Sequence, residues 1–446
     1  MQDLTNWLNI IGGWVWGPVL LVLLVGTGIF YTVRLKGLQF RALPRALRLA
    51  FSGQPQSDAP GDISQFQALM TAMAGTIGTG NIAGVATAVV LGGPGAIFWM
   101  WLSALFGMST KYAEAYLAVY FRERDGNGQM AGGPMYYLEK GLGLKSLAIM
   151  FALCGMIAAL GTGSSVQSNS VAQAVLNTFG VPGWVTGVVL TSVTGLVLLG
   201  GIRSIARVAS LIVPAMALLY LAGGMIVIAA NHELVLPALA TIIHDAWAAD
   251  AVAGGAIGAV IRYGVARGVF SNEAGIGTAP IAAAAAKTNN PQDQALVSMT
   301  GTFLDTIVVC TITGIVLVMA GQFQGGVTGA ALTSNSFEAL LPGVGGWVVT
   351  IGLIFFAYST ILGWSYYGEK CAAYLFSDKA VVPYRVIYTG FVMLGTAISL
   401  DLVWAVADVF NGLMAFPNLI GLLLLSGIVI HQKLPKPIDM SLSARE

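Results

Sequence analysis

The chain has 446 residues, 56% of them hydrophobic and 9% charged, with a net charge of +1 and a mean hydropathy of +0.79. An ordinary soluble domain carries about 25% charged residues, so this composition excludes a water-soluble globule. Apolar runs of about 20 residues, the length that crosses the hydrocarbon core, recur roughly eleven times from Trp14 almost to the C-terminus and predict an all-α polytopic membrane protein.

The first run, from Trp14 to Tyr31, has Asp3 and no basic residue before it and no clear cleavage site after it, so a retained helix is expected rather than a secretory signal. The spans then fall near 14–33, 63–91, 95–121, 146–176, 183–201, 207–230, 252–287, 293–321, 345–371, 384–400 and 403–430. Short helices outside the spans are expected at Pro134 to Lys140, Leu236 to Ala249 and Ser334 to Pro342. The three cysteines, Cys154, Cys310 and Cys371, stand singly in apolar runs, which suggests packing rather than a disulfide framework or a metal site.

Basic residues cluster between Arg34 and Arg48 and recur at Arg122, Arg124, Arg203, Arg207, Lys287, Lys370, Lys379, Arg385, Lys433 and Lys436, whereas the alternate loops around 231–250, 322–346 and 400–401 have none. The positive-inside rule then makes the basic loops cytoplasmic, with the N-terminus outside and the C-terminus inside. The stretch Ser52 to Asp62 is polar and proline-containing and separates the first helix from the rest as a cytoplasmic linker.

Within the second span, "IGTGNIAGVATA" (Ile77 to Ala88) resembles "IGTAPIAAAAA" (Ile276 to Ala286). Each match opens a set of five helices, and the charge-derived topology runs the two sets in opposite directions, as in a transporter built from an inverted repeat. One transporter domain is expected overall. It would comprise a peripheral N-terminal helix and linker (1–62), a first repeat (63–232), an inverted second repeat (251–431) and a cytoplasmic tail (432–446).

A helix broken at mid-membrane exposes amides on one half and carbonyls on the other, which must face protein, ion or substrate. The amides and positive dipole end suit a carboxylate, and the carbonyls suit sodium or an ammonium group. In the first break Gly78, Thr79 and Gly80 are the candidate amide donors to a substrate carboxylate, and Ala74, Gly75 and Ile77 the candidate carbonyl ligands of a cation. The competing reading makes Gly80 and Gly84 a helix-packing face.

The second break, "RGVFSNEAGIG", places Arg267, Ser271, Asn272 and Glu273 deep in an apolar span, where charges usually mark a pathway or a buried pair. Carbonyls near Phe270 and Ser271 are assigned to the substrate ammonium, and the Phe270 ring to a cavity wall. Glu273 is open between contacting the cation, carrying a proton, and holding Arg267 or a helix end. Elsewhere Gln167 lies mid-span, Ser359 and Thr360 can turn hydroxyls toward the first break, and Trp364 follows about one turn later. Asp305 is an unpaired carboxylate in sequence terms, a candidate for ion coupling or for pairing with Arg267. Lys111 and Glu114 stand three apart on one helix face and read as an i, i+3 pair near the cytoplasmic end.

The segments "GGPGAIFWMWLSALFG" (Gly92 to Gly107), "GGPMYYLEKGLG" (Gly132 to Gly143), "RGVFSNEAGIGTAPIAAAAA" (Arg267 to Ala286) and "DVFNGLMAFPNLIGL" (Asp408 to Leu422) resemble the alanine or glycine:cation symporters of bacteria and archaea. That resemblance implies a LeuT-like fold, a five-plus-five inverted repeat preceded by one extra N-terminal helix, in the plasma (inner) membrane. It implies sodium-coupled symport of a small neutral amino acid, alanine or glycine, by alternating access, with Gln167, Phe270 and Trp364 lining a small pocket. By similarity to the neurotransmitter:sodium symporters, Asn81 is a ligand of a first sodium site, and Ser359 and Thr360 of a second. The helix of Asp305 departs from that pattern in having no clear asparagine equivalent.

Proton coupling, a glutamine or serine preference, and an ion channel are the alternatives. No enzyme activity and no cofactor besides the co-transported sodium are expected. Neither nucleic acid nor ATP is expected as a partner, and the chain has no GxxxxGK[ST] phosphate loop.

Overall fold

The computed structural model describes residues 2–52, 59–247, 256–397 and 400–432. Residues 53–58 of the expected linker, 248–250, the expected start of an inverted second repeat at 251–255 and residues 433–446 of the expected tail lie outside the described residues. Apart from one two-stranded hairpin pairing Glu123–Arg124 with Met130–Ala131, the described architecture is helical. Among the described residues, five helices are long and apolar enough to cross a membrane, or seven if each of two bent pairs forms one span.

The N-terminus differs from the expected single helix. Helix α1 (Gln2–Val15) and α2 (Pro18–Arg34) meet at a 40° bend, where Pro18 opens α2. The basic stretch that follows is itself a helix, α3 (Leu38–Phe51), amphipathic enough to bury Gln39, Ala46 and Ala50 while its arginines face outward. Arg45 reaches Asp293 at 3.6 Å.

Helix α4 (Gln65–Thr76) begins with a capping box, in which Ser64 Oγ accepts from the Gln67 amide and Gln67 Oε1 accepts from the Ser64 amide. It stops at Ile77. A π-helical turn, Gly80–Gly84, leads into α5 (Val85–Gly92), and the two halves are bent by 51°. The long α6 (Ala96–Tyr120) and the short α7 (Pro134–Tyr136) come next. Helices α8 (Lys145–Ala158) and α9 (Val166–Phe179) are one rod with a π-helical stretch, Ala159–Ser165, in its middle. Helices α10 (Gly183–Leu199), α11 (Gly201–Ala230) and α12 (Val235–Asp245) complete the first half.

Helix α13 (Ala256–Asn272) ends at the second break, and α14 (Ala279–Ala284) resumes after it. Helices α15 (Pro291–Thr302) and α16 (Thr311–Ala320) again form one rod around a π-helical stretch, Phe303–Cys310. The remaining helices are α17 (Gly329–Leu340), α18 (Gly345–Phe376), α19 (Val381–Gly395), α20 (Leu400–Leu424) and α21 (Ser426–Ile430).

Small residues bring the helices that matter into backbone contact, the usual device where lipid removes the hydrophobic driving force. A Cβ on Gly363 of α18 would lie 2.5 Å from the Gly75 nitrogen, and one on Gly163 would lie 2.2 Å from Trp364 Cβ. Helix α18 is thereby seated against the first break on one side and the Ala159–Ser165 stretch on the other. The far end of α14 is closed by the Arg122 guanidinium, which donates to the carbonyls of Ala284 (2.9 Å), Ala286 (2.6 Å), Thr288 (2.6 Å) and Pro60 (3.0 Å). One cation thus satisfies helix-end acceptors that would otherwise be orphaned.

Candidate substrate and sodium site

The first break is met on two sides by polar side chains from other helices. On the carbonyl side, Ile77 O accepts from Ser359 Oγ (3.4 Å) and Thr360 Oγ1 (3.3 Å), and Gly75 O accepts from Trp364 Nε1 (3.3 Å). Both hydroxyls also bond Phe356 O of their own helix, at 2.9 and 3.0 Å, the habit of Ser and Thr within helices. On the amide side, Gly78 N donates to Asn81 Oδ1 (2.9 Å) and Thr79 N to Gln167 Oε1 (3.4 Å). Gln167 Nε2 in turn donates to Thr79 Oγ1 (3.2 Å) and Thr162 O (3.0 Å). Gly78 has no room for a side chain, since a Cβ there would meet Thr360 Oγ1 at 2.4 Å.

These groups surround a cavity of about 10 Å³. Gly78, Thr79, Gly80, Gln167, Phe270 and Trp364, all expected on substrate, line it, as do Gly75, Thr360 and Glu273. Thr76 and Thr162 line it too and were not anticipated. Thr162 lies in a π-helical stretch, whose extra residue per turn rotates it away from the face that a 3.6-residue period assigns. Ala74 is fully buried beside this wall.

Ser271 and Asn272 turn elsewhere. Ser271 Oγ donates to Asp305 Oδ2 (2.9 Å), and Asn272 Nδ2 to Thr306 Oγ1 (3.0 Å). Asp305, expected to be unpaired or to pair with Arg267, also accepts from Asn81 Nδ2 (2.7 Å) and Thr306 Oγ1 (2.7 Å). It joins the first break to the second. Arg267 instead stacks its guanidinium over the Phe270 ring at 5.8 Å and lines, with Asp408, a separate cavity of about 170 Å³ against α1.

Glu273 holds the second break rather than Arg267. It sits in the left-handed region (φ +55°), and its Oε2 accepts from Thr278 Oγ1 at 2.5 Å across the gap. Asn272 Oδ1 takes the Ala274 amide (3.0 Å), and Glu114 Oε1 takes the Gly275 amide (3.0 Å). Asn418 Nδ2 donates to Glu114 Oε1 (2.7 Å) and to Gly275 O (2.9 Å). Glu114 is therefore a cap on the second break, and no hydrogen bond joins it to Lys111, its expected i, i+3 partner.

A family model described as the sodium:alanine symporter family matches residues 1–434. The chain belongs to that family. It is accordingly a membrane transporter and not an enzyme. It is 59% identical over 439 residues to a protein named sodium/alanine symporter AgcS of Methanococcus maripaludis, covering 97% of each chain. It is 39% identical to the probable sodium/glutamine symporter GlnT of Bacillus subtilis, covering 96% of this chain and 90% of that one. Among solved structures, MhsT in complex with L-phenylalanine aligns with a TM-score of 0.57 at 14% identity, covering 86% of this chain and 99% of that one. At that identity the likeness shows the fold alone, a LeuT-type transporter fold.

Proposed function

We propose that this family member carries a small neutral amino acid, alanine or glycine, into the cell together with sodium by alternating access. The observation that carries the reading is the two-sided first break. Its carbonyls at Gly75 and Ile77 stand with the Ser359 and Thr360 hydroxyls, and its amides at Gly78 and Thr79 stand with Gln167, around one small cavity. Hard oxygens suit sodium, and oriented amides at a helix start suit a carboxylate. The substrate ammonium then falls to the last carbonyls of α13, at Phe270 and Ser271, with the Phe270 ring and Trp364 limiting side-chain size. Asn81 belongs to a further sodium site, beside which Asp305 supplies negative charge.

The larger layout is part of the same proposal. The seven spans given by length and composition, together with α6, α10, α19 and the α13–α14 pair, correspond to the eleven expected spans. The two breaks at 77–79 and 273–278 then open two inverted five-helix units, with the N-terminus outside and the C-terminus in the cytoplasm of a bacterial or archaeal cell. The distribution of Lys and Arg supports that orientation.

Uptake of radiolabelled alanine by proteoliposomes under an inward sodium gradient tests the reading. Sodium-dependent accumulation of alanine or glycine is expected. Sodium flux indifferent to amino acids would mean a channel, and accumulation driven by a pH gradient without sodium would mean proton coupling.

A further inference from the structure

Helix α6 buries two ionisable side chains, Lys111 and Glu114, on the side of the second break. Lys111 is 3% exposed, and its Nζ has no hydrogen-bond partner. Glu114 is fully buried; its Oε1 caps Gly275, and its Oε2 has no partner either. Lys111 follows Gly107 by one turn on the same face of α6, where a Cβ on Gly107 would lie 3.0 Å from Ala274 Cβ and 3.7 Å from Thr302 Cγ2, so three buried carboxylates lie around that face: Glu114 of α6, Glu273 at the second break and Asp305 of the Phe303–Cys310 stretch. They come from three different elements, and none of them holds the lysine in a bonded pair.

Burying a charge is costly unless another charge compensates it. Three carboxylates facing one lysine are short of positive charge in their ionised forms, and Asp305 is bonded to Asn81 and Ser271, where sodium is proposed to bind. An ammonium pinned in a bidentate pair would belong to one partner. An unbonded ammonium among three carboxylates instead contributes its charge to the whole cluster, including the two acids that tie the broken helices together.

We propose that Lys111 is the resident cation of the coupling centre, a fixed charge that sets how many sodium ions must bind before the two broken helices close around the substrate. The proposal rests on the sodium-coupled reading above. Deleting the lysine removes one positive charge, and one further bound cation must replace it. Restoring the balance on the acid side removes that need. Glu114→Gln suits this purpose because a glutamine Oε1 still accepts from Gly275 N and Asn418 Nδ2.

The test compares wild type, Lys111→Arg, Lys111→Met and Lys111→Met with Glu114→Gln in proteoliposomes. Sodium-driven alanine uptake by the wild type is measured first; its absence would sink the functional reading before any variant is made. The sodium-to-alanine ratio is then read from the voltage that balances a known alanine gradient. Lys111→Met is expected to transport roughly tenfold or more slowly at the wild-type half-saturating sodium concentration, as removal of one charge from a buried cluster implies. It should also show a steeper sodium dependence and a higher ion ratio. Lys111→Arg should keep the wild-type ratio, and the double variant should recover it.

A Lys111→Met protein with the wild-type ratio and sodium dependence overturns the proposal. So does a double variant as impaired as the single one, which would make the lysine a packing element. If Lys111→Met does not fold by size-exclusion chromatography, a folded, transporting double variant with the wild-type ratio still supports the proposal. A double variant that is unfolded as well overturns it.

Discussion

The two breaks look alike in sequence and are used differently. At the first, the freed amides and carbonyls are met by neutral side chains from distant helices, Gln167, Ser359, Thr360 and Trp364, at relaxed distances of 3.3 to 3.4 Å for all but the Gly78–Asn81 bond. At the second, the freed groups are taken at 2.9 to 3.0 Å by Asn272 beside them and by the Glu114–Asn418 pair, while Glu273 accepts from the Thr278 hydroxyl across the gap at 2.5 Å. Long, neutral contacts are cheap to exchange for a ligand, whereas short contacts to carboxylates are not. The first break is therefore built to give up its partners, and the second to keep its shape.

The largest effect that would break this contrast is at Gln167. Gln167→Ala leaves Thr79 N and Oγ1 and the Thr162 carbonyl without that partner. Loss of a buried partner costs about 1–3 kcal/mol, so half-saturation for alanine at saturating sodium should rise about tenfold to a hundredfold. An unchanged value would remove Gln167 from the substrate. Next, Ser359→Ala with Thr360→Ala should raise the sodium concentration for half-maximal uptake by about tenfold while sparing alanine affinity at saturating sodium, as loss of roughly 1.4 kcal/mol of ion binding implies. A normal sodium requirement in that double variant would make the two hydroxyls mere bonds to Phe356 O.

Much of this site was legible in the sequence because its signals are local. Glycine and threonine packed into an apolar span announce a break, and a mid-span glutamine announces a polar partner. What escaped depends on register or on distant chain. Thr162 lies in a π-helical stretch, where one inserted residue shifts the facing side chain and leaves no periodic trace. Asp305 reads as unpaired only because its partner Asn81 lies 224 residues away. Lys111 and Glu114 have the spacing of an i, i+3 pair, and nothing local reveals that Asn418 and Gly275 arrive to claim the glutamate. The helix at Leu38–Phe51 escaped because five basic residues and Pro44 in 15 positions, from Arg34 to Arg48, read as a loop.

The second break offers the complementary test. Asn418→Ala removes the donor that serves both Glu114 Oε1 and Gly275 O, and leaves Tyr137, which bonds Asn418 Oδ1, unpaired. About 2 kcal/mol of stability should be lost. Thermal unfolding in detergent would register it, with the half-saturating alanine concentration nearly unchanged. A variant with normal unfolding temperature and weakened alanine binding would reverse the assignment and make the second break the more ligand-responsive one.

The smallest expected effect lies at the start of the first broken helix. Ser64→Ala deletes the side chain that accepts the Gln67 amide at 3.1 Å and so half of the capping box, worth about 1 kcal/mol. The cap is 12 residues of α4 away from the break, and the bond it makes is local, so the loss should show as a small drop in unfolding temperature. Uptake kinetics should not change if α4 moves as a rigid rod during transport. Because the same end of the chain also meets the segment after α14, through Asp62 N and Ile63 N donating to Ala285 O and Lys287 N donating to Ile63 O, the cap sits where the two broken helices touch. A Ser64→Ala protein with normal stability and altered sodium dependence would show that α4 unwinds at its cap as part of the cycle, and the difference between a yielding first break and a rigid second one would then extend along the whole of α4.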